Sequence, residues 1–345
     1  MITPPSAQID IAPLHCPEAR LITARSYLID RFVPDSEIVL LPAKTVAGGR
    51  LGYHRGPVSA SVAQPRRRSL MRMGQVPVQQ VDDALLIDFR LNVPQNWAHF
   101  LNNHLPILFR ICDDAGLSPA DLCLILPGNT PGYIAKVAAL FGLRILSTDD
   151  TVQGQGINFT SEPWTGIRPA RRDWATLPWP TEALTRADIL GGTDQGLPRK
   201  VFLSRQDTRT LENEAEVEAL LAQRGFTKLY AEDLTPAQQF RLFQEAEEIV
   251  AIHGAGLAPL LYLAPDAPLK WLIELFPCGH MTDVYRVMAH QCGIRWMGVR
   301  GRIRPEHVAP AYELGQPFLA YSLQPFHADC HAIAQAIDML EQETQ

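Results

Sequence analysis

The segment from Lys200 to Pro277 constrains the fold most, because short apolar runs alternate there with helical patterns and a turn residue marks each junction. Val201, Phe202 and Leu203 form the continuous apolar run of a parallel strand buried on both faces. Glu212 to Arg224 has helical periodicity, with Val217, Leu220 and Leu221 inward and Gly225 as terminator, and a strand follows at Thr227 to Tyr230. Thr235-Pro236-Ala237-Gln238 carries the N-cap, first-turn proline and N3 glutamine of a capping box, which starts a helix to about Glu247. Ile249 to Ile252 reads as a second buried strand, and Leu269 to Phe276, Thr282 to Gln291 and Ile294 to Val299 continue the alternation. Such alternation predicts an α/β domain with a parallel sheet. In open sheets of this kind ligands bind beyond the carboxyl ends of the strands.

Two of those carboxyl ends are rich in polar residues. The first leads into Ser204-Arg205, Arg209, Asn213 and Glu214, and the second into His253-Gly254-Ala255-Gly256-Leu257. Gly254 and Gly256 are expected to adopt φ > 0 and to let the backbone approach a ligand. A helix beginning near Gly256 would aim N–H groups and the positive end of its dipole at a phosphate, with His253 as a further donor. Taken alone, His-Gly-Ala-Gly is more often merely a tight strand-to-helix turn. Glu274 closes a strand, where hydrogen bonding to ribose hydroxyls and a supporting role are both open; Asn213 and Glu214 open a helix, where capping or orientation of Arg205 competes with ligand contact.

The first half also alternates. Ile38 to Leu41 and Ala84 to Phe89 are strand-like, a helix starts at about Trp97, and Leu122 to Leu126 and Arg144 to Ser147 are strands flanking a helix from Ile134 to Phe141 that Pro131 opens and Gly142 ends. At 3.6 residues per turn Asn96, His99 and Asn103 fall within roughly 60° of one another, opposite Trp97, Leu101, Leu105 and Leu108. Pro106 is expected to kink or interrupt this helix. His99 fits either a structural histidine or a site residue; His104, five residues on, points elsewhere and forms no metal pair with it. The chain contains no Asp-x-Asp. Residues 149 to 198, with several prolines and tryptophans, read as an irregular connection with one or two short elements. Ala332, Ile333, Ala336, Ile337 and Leu340 mark a terminal helix.

Residues 201 to 277 resemble the inverting glycosyltransferases of family 61, which include plant core β-1,2-xylosyltransferase and animal O-mannose and EGF-domain N-acetylglucosaminyltransferases, with bacterial relatives tied to capsular and other polysaccharide biosynthesis. The resemblance rests on Phe202-Leu203-Ser204-Arg205, Arg209, Asn213-Glu214-Ala215-Glu216, Gly225-Phe226, the Gln238 helix, His253 to Leu257 and Ile273 to Pro277, with a weaker match at Asn96 to Phe100. It implies an α/β, GT-B-like fold of two Rossmann-like domains facing a cleft: an acceptor domain over 1–180 with its linker from about 149, a nucleotide-sugar domain over 181–325, and a terminal helix over 326–345 returning to the first domain. It further implies a nucleotide-sugar donor, with a UDP-sugar favoured, a glycan or lipid-linked glycan acceptor, no cofactor and no obligatory metal. Carried over by position, His99 and Asn103 are catalytic, Ser204, Arg205, Arg209, His253, Gly254, Ala255, Gly256 and Glu274 bind the donor, and Asn96, Asn213 and Glu214 support them. The family places Asp or Glu where this chain has Asn103, and asparagine is no carboxylate base. Either His99 takes the acceptor proton, or another carboxylate such as Asp88 does, or the enzyme is weakened.

Composition narrows the remaining classes. A length of 345 residues fits about two domains, and 46% hydrophobic with 20% charged residues supports substantial cores. A net charge of −6 argues against nucleic-acid binding. The first seventeen residues lack a basic stretch leading into an apolar one, and no run is long and apolar enough to span a bilayer, so a cytoplasmic protein is expected. The six cysteines, at 16, 112, 123, 278, 292 and 330, show no metal-ligand spacing and read as reduced thiols. Asn158-Phe159-Thr160 matches a glycosylation sequon that matters only in a secreted chain. Arg66-Arg67-Arg68 reads as a solvated loop, with peripheral contact to the inner membrane as the alternative. A nucleotide-sugar epimerase or hydrolase, and a non-catalytic nucleotide-sugar-binding protein, are the competing functions.

Overall fold

The computed structural model describes residues 6–24, 36–60, 77–91, 93–160, 178–189, 196–302 and 323–343. Arg66-Arg67-Arg68 lies outside them. The chain divides into two compact units, Met1–Leu14 with Val46–Gly191, and His15–Thr45 with Gly192–Gln345. Both are α/β.

The first unit is built on a six-stranded mixed sheet in the order Ala7–Ile11, Gly49–Ala60, Thr151–Phe159, Val78–Asp88, Leu122–Leu126, Arg144–Ser147. The last four run parallel, and Gly49–Ala60 is antiparallel to both of its neighbours, Thr151–Phe159 and Ala7–Ile11. Leu122–Leu126 is buried along its whole length, as its unbroken apolar sequence requires. Thr151–Phe159 corrects the reading of 149 to 198 as irregular: it is an interior strand of the sheet. Its Gln153-Gly154-Gln155-Gly156 interior carries little β-propensity of its own, and tertiary pairing overrides it.

The second unit carries a seven-stranded sheet in the order Thr227–Tyr230, Lys200–Ser204, Glu248–Ile252, Trp271–Phe276, Arg295–Arg300, Ala19–Ala24, Ser36–Leu41. Six strands are parallel and the edge strand Ser36–Leu41 is antiparallel to Ala19–Ala24. The strand expected at Ile38 to Leu41 therefore forms, but in this sheet. The capping box at Thr235 is present in both halves: Gln238 N–H donates to Thr235 Oγ1 (3.3 Å) and Thr235 N–H to Gln238 Oε1 (2.9 Å), a motif whose N-cap contributes about 1 kcal/mol.

The terminal helix Cys330–Gln342 packs within the second unit. Ala332, Ile333, Ala336, Ile337 and Leu340 are buried in one cluster with Ile22, Val217, Leu221 and Trp271, and Asp329 caps the helix by accepting from His331 N–H (2.9 Å) and Ala332 N–H (3.1 Å). Its apolar stripe is satisfied on the second sheet. Among the described residues no helix is long and apolar enough to cross a membrane.

Candidate active site

In chain order the five C-terminal strands of the second sheet are arranged 2-1-3-4-5. The chain leaves Lys200–Ser204 toward one edge and later returns to its other side at Glu248–Ile252, so the topological switch point lies between these two strands, where an open α/β sheet has its ligand crevice. Their carboxyl ends deliver Arg205 and His253.

The loop after Lys200–Ser204 is pinned from several sides. Ser204 is buried and donates its hydroxyl to Glu214, which also accepts from Tyr230 OH (3.3 Å). The Asn213 amide makes a two-way clamp on Ala328, donating to its carbonyl (2.8 Å) and accepting from its N–H (3.0 Å). Ser204, Glu214 and Asn213 therefore act on the loop; Asn213 neither caps its helix through its side chain nor orients Arg205. Arg205 folds back within the loop, with Nε on Thr208 O (2.8 Å) and Nη2 on Thr208 Oγ1 (3.0 Å). Arg209 sits at φ 58°, a left-handed conformation held by its N–H on Leu323 O (3.0 Å), and its Nη1 reaches His253 O (3.4 Å). Side chains other than glycine, Asn and Asp rarely adopt this backbone, so the loop is strained where its second arginine points back at the site. Burial, and next the Arg205 charge, hold the Arg209 pKa below its ordinary value. Arginine stays cationic nonetheless. Two like charges are thus gathered at one strand end, and among the described residues no ion pair involves Arg205.

The His-Gly-Ala-Gly turn opens a 3₁₀ helix, Ala255–Tyr262, whose start has no side-chain cap. Neither glycine adopts the left-handed conformation expected of it: Gly254 is extended at φ 164°, and Gly256 is not among the positive-φ glycines. Their requirement is steric. A Cβ on Gly254 would lie 1.7 Å from Arg205 Nη1, so the missing side chain makes room for the guanidinium beside the helix start. A Cβ on Gly256 would lie 2.9 Å from Ala231 Cβ, so Gly256 serves packing. Gly254→Ala is expected to displace Arg205 and weaken diphosphate binding about tenfold with little change in Tm. Gly256→Ala should cost about 1–3 kcal/mol of stability and leave affinity nearly intact. Calorimetric titration with a nucleoside diphosphate beside thermal unfolding separates the two, and unchanged affinity in Gly254→Ala would contradict the steric assignment.

Glu274 is fully buried, with Oε1 on His253 Nδ1 (2.5 Å) and Oε2 on Trp296 Nε1 (2.8 Å). Both oxygens are engaged, which fits the supporting role rather than ribose binding. The His253 ring stacks on Phe276 (5.2 Å between centroids) and neighbours His280 (5.2 Å) and Tyr285 (5.8 Å). Burial first, then the His253 and Arg209 charges, push the His280 pKa down to about 4. Sequence reasoning missed His280, Tyr285, Trp296 and Thr208; only their position just beyond strand ends, or opposite one, signalled them.

In the first unit Asn96 Oδ1 caps the helix by accepting from His99 N–H (3.2 Å), so Asn96 is structural. Asn103 Nδ2 lies 2.9 Å from His99 Nδ1. The helix does not end at Pro106. It runs from Trp97–His99 through a π-helical Phe100–His104 into Leu105–Ala115, with Leu105 N–H bonded to Phe100 O; the wider turn places Pro106 in the first turn of the last stretch, where its missing N–H costs little. His104 is buried between the carbonyls of His99 (2.9 Å) and Leu91 (3.1 Å), and burial holds its pKa at about 4. It points away, as expected. Asp88 is taken by Arg90, with Nε on Oδ1 and Nη2 on Oδ2 (both 3.0 Å), which leaves it poorly placed as the alternative base. Among the described residues no group of three or more His, Cys, Asp or Glu side chains could hold a metal ion.

Comparison with known proteins gave two findings. The family model described as glycosyltransferase 61 matches residues 97–269, half of the chain. A protein of Oryza sativa subsp. japonica named β-1,2-xylosyltransferase XAX1 is 31% identical over 117 residues, which make up 32% of this chain and 20% of that protein. The match spans about a fifth of that relative's length.

Proposed function

This chain belongs to glycosyltransferase family 61, and we propose that it is an inverting glycosyltransferase that moves a sugar from a nucleotide-sugar donor, favoured as a UDP-sugar, to a hydroxyl of a glycan or lipid-linked glycan. The two units are then the two Rossmann-like domains of a GT-B enzyme, with the donor bound by the second and acceptor chemistry carried by the first. The observation that supports donor binding is the convergence of Arg205, Arg209 and the uncapped start of Ala255–Tyr262 at the switch point of the second sheet.

In the reaction the acceptor oxygen bonds to the anomeric carbon from the face opposite the diphosphate. The carbon–oxygen bond to the diphosphate breaks with its electron pair, and the acceptor proton passes to a base, for which His99 is the proposed group. Configuration inverts because displacement is direct. The negative charge growing on the leaving diphosphate meets fixed guanidinium and N–H donors that need no reorganisation.

Thermal shift and calorimetric titration with nucleoside diphosphates test the donor reading. A ligand at about 100 times its Kd should add about 2.7 kcal/mol of stability, and because the arginines supply the compensating charge, the effect should persist in excess chelator. No shift with any nucleoside diphosphate, with or without magnesium or manganese, would contradict it. Asn103 favours a second reading, a weakened protein that binds donor without turnover; acceptor-dependent release of diphosphate decides between them.

A further inference from the structure

We infer that Glu274, braced by Trp296, is a positioning residue that holds His253 as a third cation of the diphosphate site. The inference rests on the donor reading above and assigns residues to which that reading gives no role in charge. Indole Nε1 can only donate, so Glu274 Oε2 must accept from Trp296. A carboxylate removed from solvent is costly unless paired, and among the described residues the other group hydrogen-bonded to it is His253 Nδ1, at 2.5 Å. Nδ1 therefore carries a proton directed at Glu274. The ring's other nitrogen, Nε2, is the atom whose protonation decides whether His253 adds charge to the site.

Among the described residues, aromatic groups surround that ring. Phe276 covers one face, and Tyr285 approaches with an edge. Burial and the Glu274 charge raise the Tyr285 pKa against the opposing Arg205 and Arg209 charges, so its hydroxyl stays neutral. His280 is also neutral near pH 7, held so by burial, His253 and Arg209. Arg209 meets the His253 carbonyl, and among the described residues Glu274 is the one acid hydrogen-bonded to the ring. Without charge on His253, the two arginines and Glu274 leave a single net positive charge facing a diphosphate. With it they leave two. A carboxylate bonded to imidazole favours the charged form, and Trp296 tunes that preference by drawing electron density toward Oε2.

Opposite shifts follow for the two supports. Glu274→Gln removes the counter-ion, so His253 should lose its proton at lower pH than in the wild type. Trp296→Phe removes a competing donor from the carboxylate, so His253 should keep its proton to higher pH. Because the cation binds the diphosphate, loss of the second ring proton of His253 should weaken pyrophosphate binding.

The experiment is an NMR titration of the His253 ring nitrogens in the ligand-free protein, with inorganic pyrophosphate affinity measured between about pH 6 and 9. The expected result is a midpoint lowered by about one pH unit or more in Glu274→Gln and raised in Trp296→Phe, with pyrophosphate bound about tenfold more weakly by Glu274→Gln at neutral pH. Should Glu274→Gln fail to fold, Trp296→Phe at a half-buried position carries the test, and an unchanged or lowered midpoint there overturns the role of Glu274. Pyrophosphate binding with unshifted midpoints overturns that role too. Shifted midpoints with no pyrophosphate binding by the wild type overturn instead the phosphate-site reading.

Discussion

Replacing His99 with Gln is expected to lower kcat by about 100-fold or more and to leave nucleoside-diphosphate affinity close to the wild-type value, since general-base catalysis supplies about 10²- to 10⁴-fold. The geometry behind this is the 2.9 Å contact between His99 Nδ1 and the Asn103 amide. With Nδ2 donating, Nδ1 is the acceptor and the neutral ring carries its proton on Nε2, which then donates to substrate. With the amide turned over, Oδ1 accepts from Nδ1–H and Nε2 is the unprotonated nitrogen that takes the acceptor proton. Asparagine permits both tautomers; a carboxylate would permit only the second. Asn103→Asp should therefore raise kcat by fixing the productive tautomer. It should also move the acidic limb of the pH profile upward, because a carboxylate beside the ring stabilises the imidazolium. A limb moving downward would make the new carboxylate itself the base. If His99 only positions substrate, its loss will appear chiefly in acceptor KM. A folded His99→Gln enzyme with wild-type kcat and pH profile contradicts the base assignment.

Arg205→Ala should weaken the donor and the free nucleoside diphosphate together, by about 10- to 100-fold, as expected from losing charge-assisted bonds worth about 1.5–3 kcal/mol. Lysine should restore part of the loss, because it supplies the charge but not the planar fork that bonds Thr208 at two atoms. Arg205 is only half-buried and forms no part of the described core clusters, so Tm should change little. Unchanged diphosphate affinity in a folded Arg205→Ala protein would remove Arg205 from the site.

The second sheet was readable because its parallel strands are buried on both faces and show as continuous apolar runs, as in Glu248–Ile252 and Trp271–Phe276. The first sheet was half readable. Leu122–Leu126 announces itself, but Thr151–Phe159, with glycines and glutamines at its centre, and the long Gly49–Ala60 take their strand form from their neighbours. Within the site, Arg205 and His253 could be found because they follow strands directly. The service of Gly254 to a guanidinium, and of Glu274 to His253, could not, since both depend on contacts between segments distant in sequence. The π-helical turn at Phe100–His104 was hidden for a similar reason: Pro106 signals a break, and only the packed helix shows how the break is absorbed.

The most direct test of the central claim is the stereochemistry and acceptor dependence of the product, read by NMR at the new anomeric centre with a panel of UDP-sugars and hydroxyl acceptors in excess chelator. The account predicts diphosphate release that requires acceptor, matched by an equal amount of glycoside with inverted configuration. Retained configuration, or free sugar released at the same rate without acceptor, would contradict it.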